Sequence, residues 1–403
     1  MKTLIWITNS FRKDSRLTNG ISDLCTFVYY SPYYFAGARE RNIYEKCSQQ
    51  NLDAFYHSLH SFDTELKHKG FQGLLVFKES DPIEHINQLC EKWNFDKIVI
   101  DQPLFAMWHS IDLLRLKVPY EIIDSTLIDD TCFKMTAKSR WMSHVKRVQT
   151  EKPYQWNESI APYFIKENSR SYPIPKSVSP FLDIEEVIER AKAIAPTYGS
   201  TRDSHNGQTR LSTAIQNGMV DPHNLFFEIA KQFQESGSDL TVNEGAHAAM
   251  LRQFGFREIN IISARRNDLT MENSPLEWAK CIMHHKAFDN MISSTPKSDS
   301  KLTIDAIRNA NTGIEELDKI LFSFVRTGIM PNRARMYFAG KIFYESKSGI
   351  EALNLLIDTF DLIGLDGQSP NNYMQCISSL GLSYGKVMLM SSKRTFELLN
   401  YPM

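Results

Sequence analysis

The chain reads as an α/β domain with a doubly wound parallel sheet, followed by a long connector and an all-helical C-terminal domain. Three observations predict this. Short β-rich runs alternate with helical patterns over roughly the first 130 residues, periodicity then fails in a proline-rich stretch, and helical spacing dominates almost to the end. The expected bounds are 1–130, 131–185 and 186–403.

In the first part, residues 4–8, 26–30, 74–77, 98–101 and 120–123 have the β-branched and aromatic content of strands. Between the second and third, Leu52, Phe55, Leu59, Phe62 and Leu66 recur at spacings of three and four, with Gly70 as a stop signal. Strands alternating with helices imply right-handed crossovers and a parallel sheet. Such sheets open ligand clefts at the strand C-termini. Asp101 and Asp124 stand at two of those ends, either as functional carboxylates or as caps and solvated side chains.

The connector is marked by Pro153, Pro162, Pro173, Pro175 and Pro180, which break any regular element. Beyond it, helices are expected at 184–195, 225–234, 246–265, 276–290, 314–326, 334–345 and 350–361.

Composition narrows the function classes. The chain has 403 residues, 42% hydrophobic and 23% charged, the profile of an ordinary globular protein. Its 46 basic residues against 47 acidic ones give a net charge of −1, so no global field attracts a polyanion. Cys25, Cys47, Cys90, Cys132, Cys281 and Cys376 contain no C-x-x-C pair, which argues against a zinc site and a disulfide framework. No apolar run approaches a membrane span, and the opening residues are unlike a signal peptide. A cytoplasmic protein without a membrane partner is the expectation.

No nucleotide loop, zinc-protease motif or nucleophile elbow is present. His284 and His285 are adjacent, so both rings cannot converge on a metal from one helix face, and no metal site is expected. More informative is the run from Tyr198 to Ser212. Gly207 permits close backbone approach, while Thr209, Arg210 and Ser212 place hydroxyls and a cation at a helix start, where amides and the helix dipole favour an anion. By chemistry alone a diphosphate site and a plain cap with a surface arginine both remain open.

The order of this run resembles the flavin-binding stretch of photolyases, in which a tyrosine, an Arg-Asp pair (here Arg202-Asp203), a glycine and T-S-R-L-S precede a helix. Three further segments resemble the same family. Met250 to Glu258, with Gln253, Phe256 and Arg257, is similar to its E-L-I-W-R-E helix. Thr312 to Asp318, continuing to Met330, Asn332, Arg335 and Met336, is similar to T-G-x-x-x-x-D and M-H-N-x-x-R-M. Leu365 to Tyr373, with Asp366 and Asn371, is close to the L-D-G-R-D-P-N-G-Y of class II photolyases. Phe11 to Asn19 is similar to the N-terminal F-R-R-D-L-R-L-x-D-N. The chain is thus identified as a diverged, short member of the photolyase/cryptochrome family.

The resemblance implies FAD as cofactor. Tyr198, Thr209, Arg210, Leu211 and Ser212 would hold its ribityl–diphosphate portion, and Arg257 and Asn332 would line the cavity. Arg335 and Asp366 would form a buried ion pair beside the isoalloxazine. Asn371 would face the flavin's reactive ring nitrogen and tune its reduced states. Gln253 and Phe256 occupy positions where repair photolyases read a flipped pyrimidine dimer with glutamate and tryptophan. Glutamine carries no charge, and phenylalanine offers a smaller stacking face.

The family's tryptophan chain to the flavin is also interrupted, because the corresponding class II positions carry Phe338, Glu345 and Ser378. Tyr337, Tyr344 and Tyr373 stand either as a substitute route or as packing. The resulting expectation is a flavoprotein diverged from lesion repair, with cryptochrome-like light response or other flavin redox chemistry. A DNA-repairing photolyase and a light-independent flavoenzyme are the alternatives, so DNA is a partner only on the first alternative. No residue names an antenna pigment or a protein partner.

Overall fold

The computed structural model describes residues 1–30, 49–102, 112–129, 131, 136–172, 174, 184–204, 207–270, 273–283, 285–294, 299 and 302–380. Sequence readings that touch Cys47, Cys132, Pro173, Pro175, Pro180 and His284 lie outside these residues.

All five expected strands form: β1 (Lys2–Ile7), β2 (Leu24–Tyr30), β3 (Leu75–Phe77), β4 (Lys97–Asp101) and β5 (Tyr120–Ile123). They pair in the order β3-β2-β1-β4-β5, every pair parallel, with Leu4 opposite Thr26 on one side and Ile98 on the other. A short strand β6 (Ala161–Pro162) joins the start of β2 from within the stretch expected as connector. β1 alternates its layers: Leu4 and Trp6 pack into one core, Ile5 and Ile7 into the other, as a strand covered on both faces requires.

The helices of the α/β domain are α1 (Arg16–Asn19), α2 (Gln49–His68) and α3 (Pro82–Trp93). The expected leucine and phenylalanine stripe of α2 supplies Leu59, Phe62 and Leu66 to the core beneath the sheet. The segment 131–185 is not all extended. It contains α4 (Ala137–Thr150), capped by Thr136 and buried along Trp141 and Val145.

The rest is helical: α5 (Ile184–Ile194), α6 (Tyr198–Thr201), α7 (Leu211–Gln216), α8 (Pro222–Glu235), α9 (Gly245–Arg266), α10 (Pro275–Ile282), α11 (His285–Ser293), α12 (Ile304–Arg308), α13 (Glu315–Thr327), α14 (Asn332–Glu345), α15 (Gly349–Ile363) and α16 (Pro370–Ser379). The single helix expected at 276–290 is two, because the chain turns extended at Met283 (φ −74°, ψ 149°) and ends α10 there. Two cores hold this part together. One gathers Trp141, Phe226 and Phe254 on α4, α8 and α9, and the other gathers Trp278, Phe324, Phe338 and Phe360 on α10, α13, α14 and α15.

The loops at the sheet's C-terminal edge receive α9 and its neighbours. Asp101, fully buried, accepts from the amides of Thr8, Asn9 and Ser10 and from the Ser125 hydroxyl. It therefore locks two loops to each other, the cap reading of this strand-end carboxylate. Asp124 likewise takes Thr126 (2.6 Å) and the Arg265 guanidinium (2.6 Å). Burial works to raise its pKa, but Arg265 and Thr126 hold it below the usual carboxylate range.

Candidate functional site

α9 is the element from which the site is built. It is apolar or buried around most of its circumference, and two of its faces carry different polar sets. One face meets the α/β domain and α4. There buried Glu258 accepts from the Ile128 amide and from Arg140 Nε at 2.6 Å, with His144 Nε2 at 2.9 Å, while Arg257 Nη1 donates to the Thr126 carbonyl at 2.7 Å. The other face carries Gln253, Phe256, Arg257 and Asn260, which recur at three, four and seven residues and line a cavity of about 500 Å³. That size lies within the ~300–1,000 Å³ of small-molecule and cofactor sites.

The cavity has a cationic end. Tyr198, Thr209, Arg210, Leu211 and Ser212 line it at the start of α7, beside Arg202. Arg210 sits at the N-cap of α7 in a left-handed conformation (φ 64°, ψ 8°) with no side-chain cap bond, a geometry that costs a non-glycine residue about 1–2 kcal/mol. Gly207 is required by the crossing of this loop, since a Cβ there would lie 1.9 Å from the Thr201 carbonyl oxygen. Arg190 reaches in from α5 to donate to the Gln208 carbonyl at 2.8 Å. Burial, and then the charge of Arg190, push the Arg210 guanidinium down to about 10. The Glu186 charge opposes that shift, and the hydroxyls of Thr209 and Ser212 with the Arg202 and Arg210 guanidinium groups line this end of the cavity.

The opposite end is rich in amides. Arg335, buried on α14, lies 3.5 Å from Asp366, stacks 4.2 Å over the Phe360 ring and donates to Gln375 on α16. Its Nε is buried without a hydrogen-bond partner among the described residues. The expected Arg–Asp pair is thus present but shared, and part of the guanidinium is satisfied by an amide. Asn332 opens α14 at the cavity rim, and Asn371 lies in the first turn of α16, its Oδ1 accepting from Asn260 Nδ2 at 2.7 Å. Gln253 and Phe256 are exposed at the mouth, Phe256 by 51%.

The folded chain therefore brings the twelve residues that the resemblance assigned to the cofactor and lesion sites to one cavity: Tyr198, Thr209, Arg210, Leu211, Ser212, Gln253, Phe256, Arg257, Asn332, Arg335, Asp366 and Asn371. Arg257 reaches the cavity wall while its Nη1 is engaged with Thr126, so it ties the wall to the α/β domain. Sequence reasoning missed Arg190, Asn260, Met374 and Gln375. The spacing of Asn260 from Gln253 and of Gln375 from Asn371 was the available signal. No residue type marks Arg190, which arrives from a different helix.

An α/β domain docked on a helical domain that holds one cavity is the photolyase/cryptochrome fold. Among solved structures the chain is similar to a cryptochrome of Synechocystis (TM-score 0.71, 15% identity, covering 100% of this chain and 86% of that one). It is similar also to a bacterial class III photolyase of Agrobacterium tumefaciens (TM-score 0.70, 14% identity, 98% and 83%). A curated relative, the deoxyribodipyrimidine photo-lyase of Potorous tridactylus, is 25% identical over 277 residues, 64% of this chain. The chain spans about half of that relative, 49%. No family model matches. In fold the chain matches photolyases and cryptochromes, and in sequence it resembles a photolyase over 277 residues.

Proposed function

We propose that the chain binds FAD in this cavity and serves flavin photochemistry or redox chemistry of cryptochrome type rather than lesion repair. The observation that carries the reading is the pairing, within one cavity, of an end lined by Arg202, Thr209, Arg210 and Ser212 with an amide-lined far end, 12 expected residues contributing to the walls. The cavity-lining Arg202 and Arg210 with the Thr209 and Ser212 hydroxyls fit a diphosphate, and the orphaned Arg335 Nε fits a polar ring edge. Bound FAD would supply light absorption and electron transfer. The chain's own residues then hold the diphosphate (Thr209, Arg210, Ser212), set the charge beside the ring (Arg335 and Asp366), and offer an amide to it (Asn371).

FAD is expected to copurify with the protein, and Arg210→Ala is expected to weaken its binding by about 1.5–3 kcal/mol, the worth of one charge-assisted contact. Fluorescence titration of the refolded apoprotein measures this. Colourless protein from flavin-replete cells, releasing no flavin on denaturation, would sink the proposal.

Dimer repair remains the second reading, because Gln253 and Phe256 stand exposed at the cavity mouth where an extruded base would enter. We expect little repair. Gln253 lacks the carboxylate, Phe256 offers a smaller platform, and Phe338 is buried where the tryptophan route would run. Chemically prereduced protein, a thymine-dimer oligonucleotide and blue light decide the matter, since prereduction removes the electron-supply defect. Turnover at the rate of an ordinary photolyase would make repair the function. Oxidation of a small molecule in the dark would support the third reading, a light-independent flavoenzyme.

A further inference from the structure

We propose that Asn260 is a positioning residue that sets which end of the Asn371 amide faces the flavin, and through it whether the flavin's reactive ring nitrogen carries a proton. The inference rests on the proposed binding of FAD in this cavity.

Asn260 and Asn371 lie on different helices, α9 and α16, both line the cavity, and their side chains meet at 2.7 Å with Asn260 Nδ2 donating to Asn371 Oδ1. An amide has an acceptor end and a donor end. With one lone pair of its oxygen engaged by Asn260, Asn371 is biased to turn its NH2 rather than its carbonyl toward the cavity that it lines. A donor facing the ring nitrogen stabilises the form whose lone pair is bare, whereas a carbonyl there stabilises the N–H form. Asn260 therefore biases the reduced flavin toward the unprotonated nitrogen. Both side chains are half-buried, so the bond is shielded enough to hold an orientation yet open to substitution.

The test exploits the asymmetry of a carboxylate. In Asn260→Asp the new side chain only accepts, so the Asn371 NH2 must turn to it and the carbonyl must turn to the flavin. During reduction by dithionite, each electron comes from the reductant and the proton from water. The absorption spectrum of the one-electron-reduced flavin, followed against pH, reports protonation of the ring nitrogen.

The charged groups lining the cavity are Arg202 and Arg210 at its cationic end, Arg257 on α9, Arg335 on α14 and Asp366 before α16, and all are unchanged in the variants. We expect Asn260→Asp to raise the pH midpoint by about one unit, tenfold in the protonation equilibrium. Asn260→Leu, which leaves the amide unconstrained, should move it by less, and Asn260→Gln should restore wild-type behaviour if it re-forms the bond.

Combining Asn260→Asp with Asn371→Leu separates amide orientation from simple negative charge. If the double variant shifts as far as Asn260→Asp alone, the effect is charge and the proposal fails. Flavin-loaded wild type and Asn260→Asp with equal midpoints also overturn it. Wild type that binds no flavin takes down the cofactor reading itself, an outcome distinct from both.

Discussion

Asp129 shows how a single carboxylate holds the cavity's supporting wall. It accepts from Thr131 (Oγ1 at 2.6 Å) and Ser143, and pairs with Arg147 at 2.9 Å. Burial works to raise its pKa, yet Ser143, Thr131 and Arg147 hold it down at about 2. A depressed folded-state pKa contributes stability that is present above the unfolded value, near 4, and is lost as pH falls toward the folded one. Between pH ~4 and ~2 the protein should therefore lose stability through this group. Asn at this position should flatten that loss, measured as a smaller difference between urea midpoints at pH 7 and pH 3. At the same scale, the surroundings of Arg210 and Asn371 include Arg190 and Asn260, 20 and 111 residues away, and no motif around either residue names its partner.

Among the elements, α9 carries the most constraint, since it faces the cavity on one side and the α/β domain on another. Its closest approach is at Gly255, where a Cβ would lie 2.8 Å from the Ala137 carbonyl oxygen of α4. Gly255→Ala should push the two helices apart at a cost of about 1–3 kcal/mol. Denaturant unfolding measures the cost, and loosened cofactor binding should accompany it. The helical pattern of α9 was legible because its apolar residues are so frequent. Its amphipathic direction was not, because a helix buried on several sides has no single apolar stripe. The split between α10 and α11 was hidden for a related reason: apolar spacing runs on through 276–290, and only the local backbone at Met283 breaks it. α16 escaped sequence reading altogether, being short and polar on its cavity side.

At the scale of the molecule, the α/β and helical parts are joined by buried charge. Arg12, 7% exposed, donates to the Gly218 carbonyl at 2.9 Å and to the Ser125 carbonyl, and pairs with Asp221 at 3.3 Å. Gly218 itself (φ 66°) lies against Asn9, with no room for a Cβ. Arg12→Ala leaves buried Asp221 without its cation, held, among the described residues, only by the His223 and Asn224 amides of α8, so a loss of about 3–5 kcal/mol is expected, with the cavity residues intact. Thermal unfolding checks the loss, and separated transitions for the two parts would show that Arg12 couples them. The sequence by itself determined the strand positions, many of the helices, the two-part architecture and part of the cavity wall, because periodicity is local and motifs list residues in order. Only the tertiary structure decided that strand-end Asp101 ties two loops together and Asp124 anchors Arg265 of α9, that Arg190 neighbours Arg210, and that Asn260 holds Asn371. These are contacts between segments up to 141 residues apart, as from Asp124 to Arg265, and they exist only once packing brings distant helices and loops to one place.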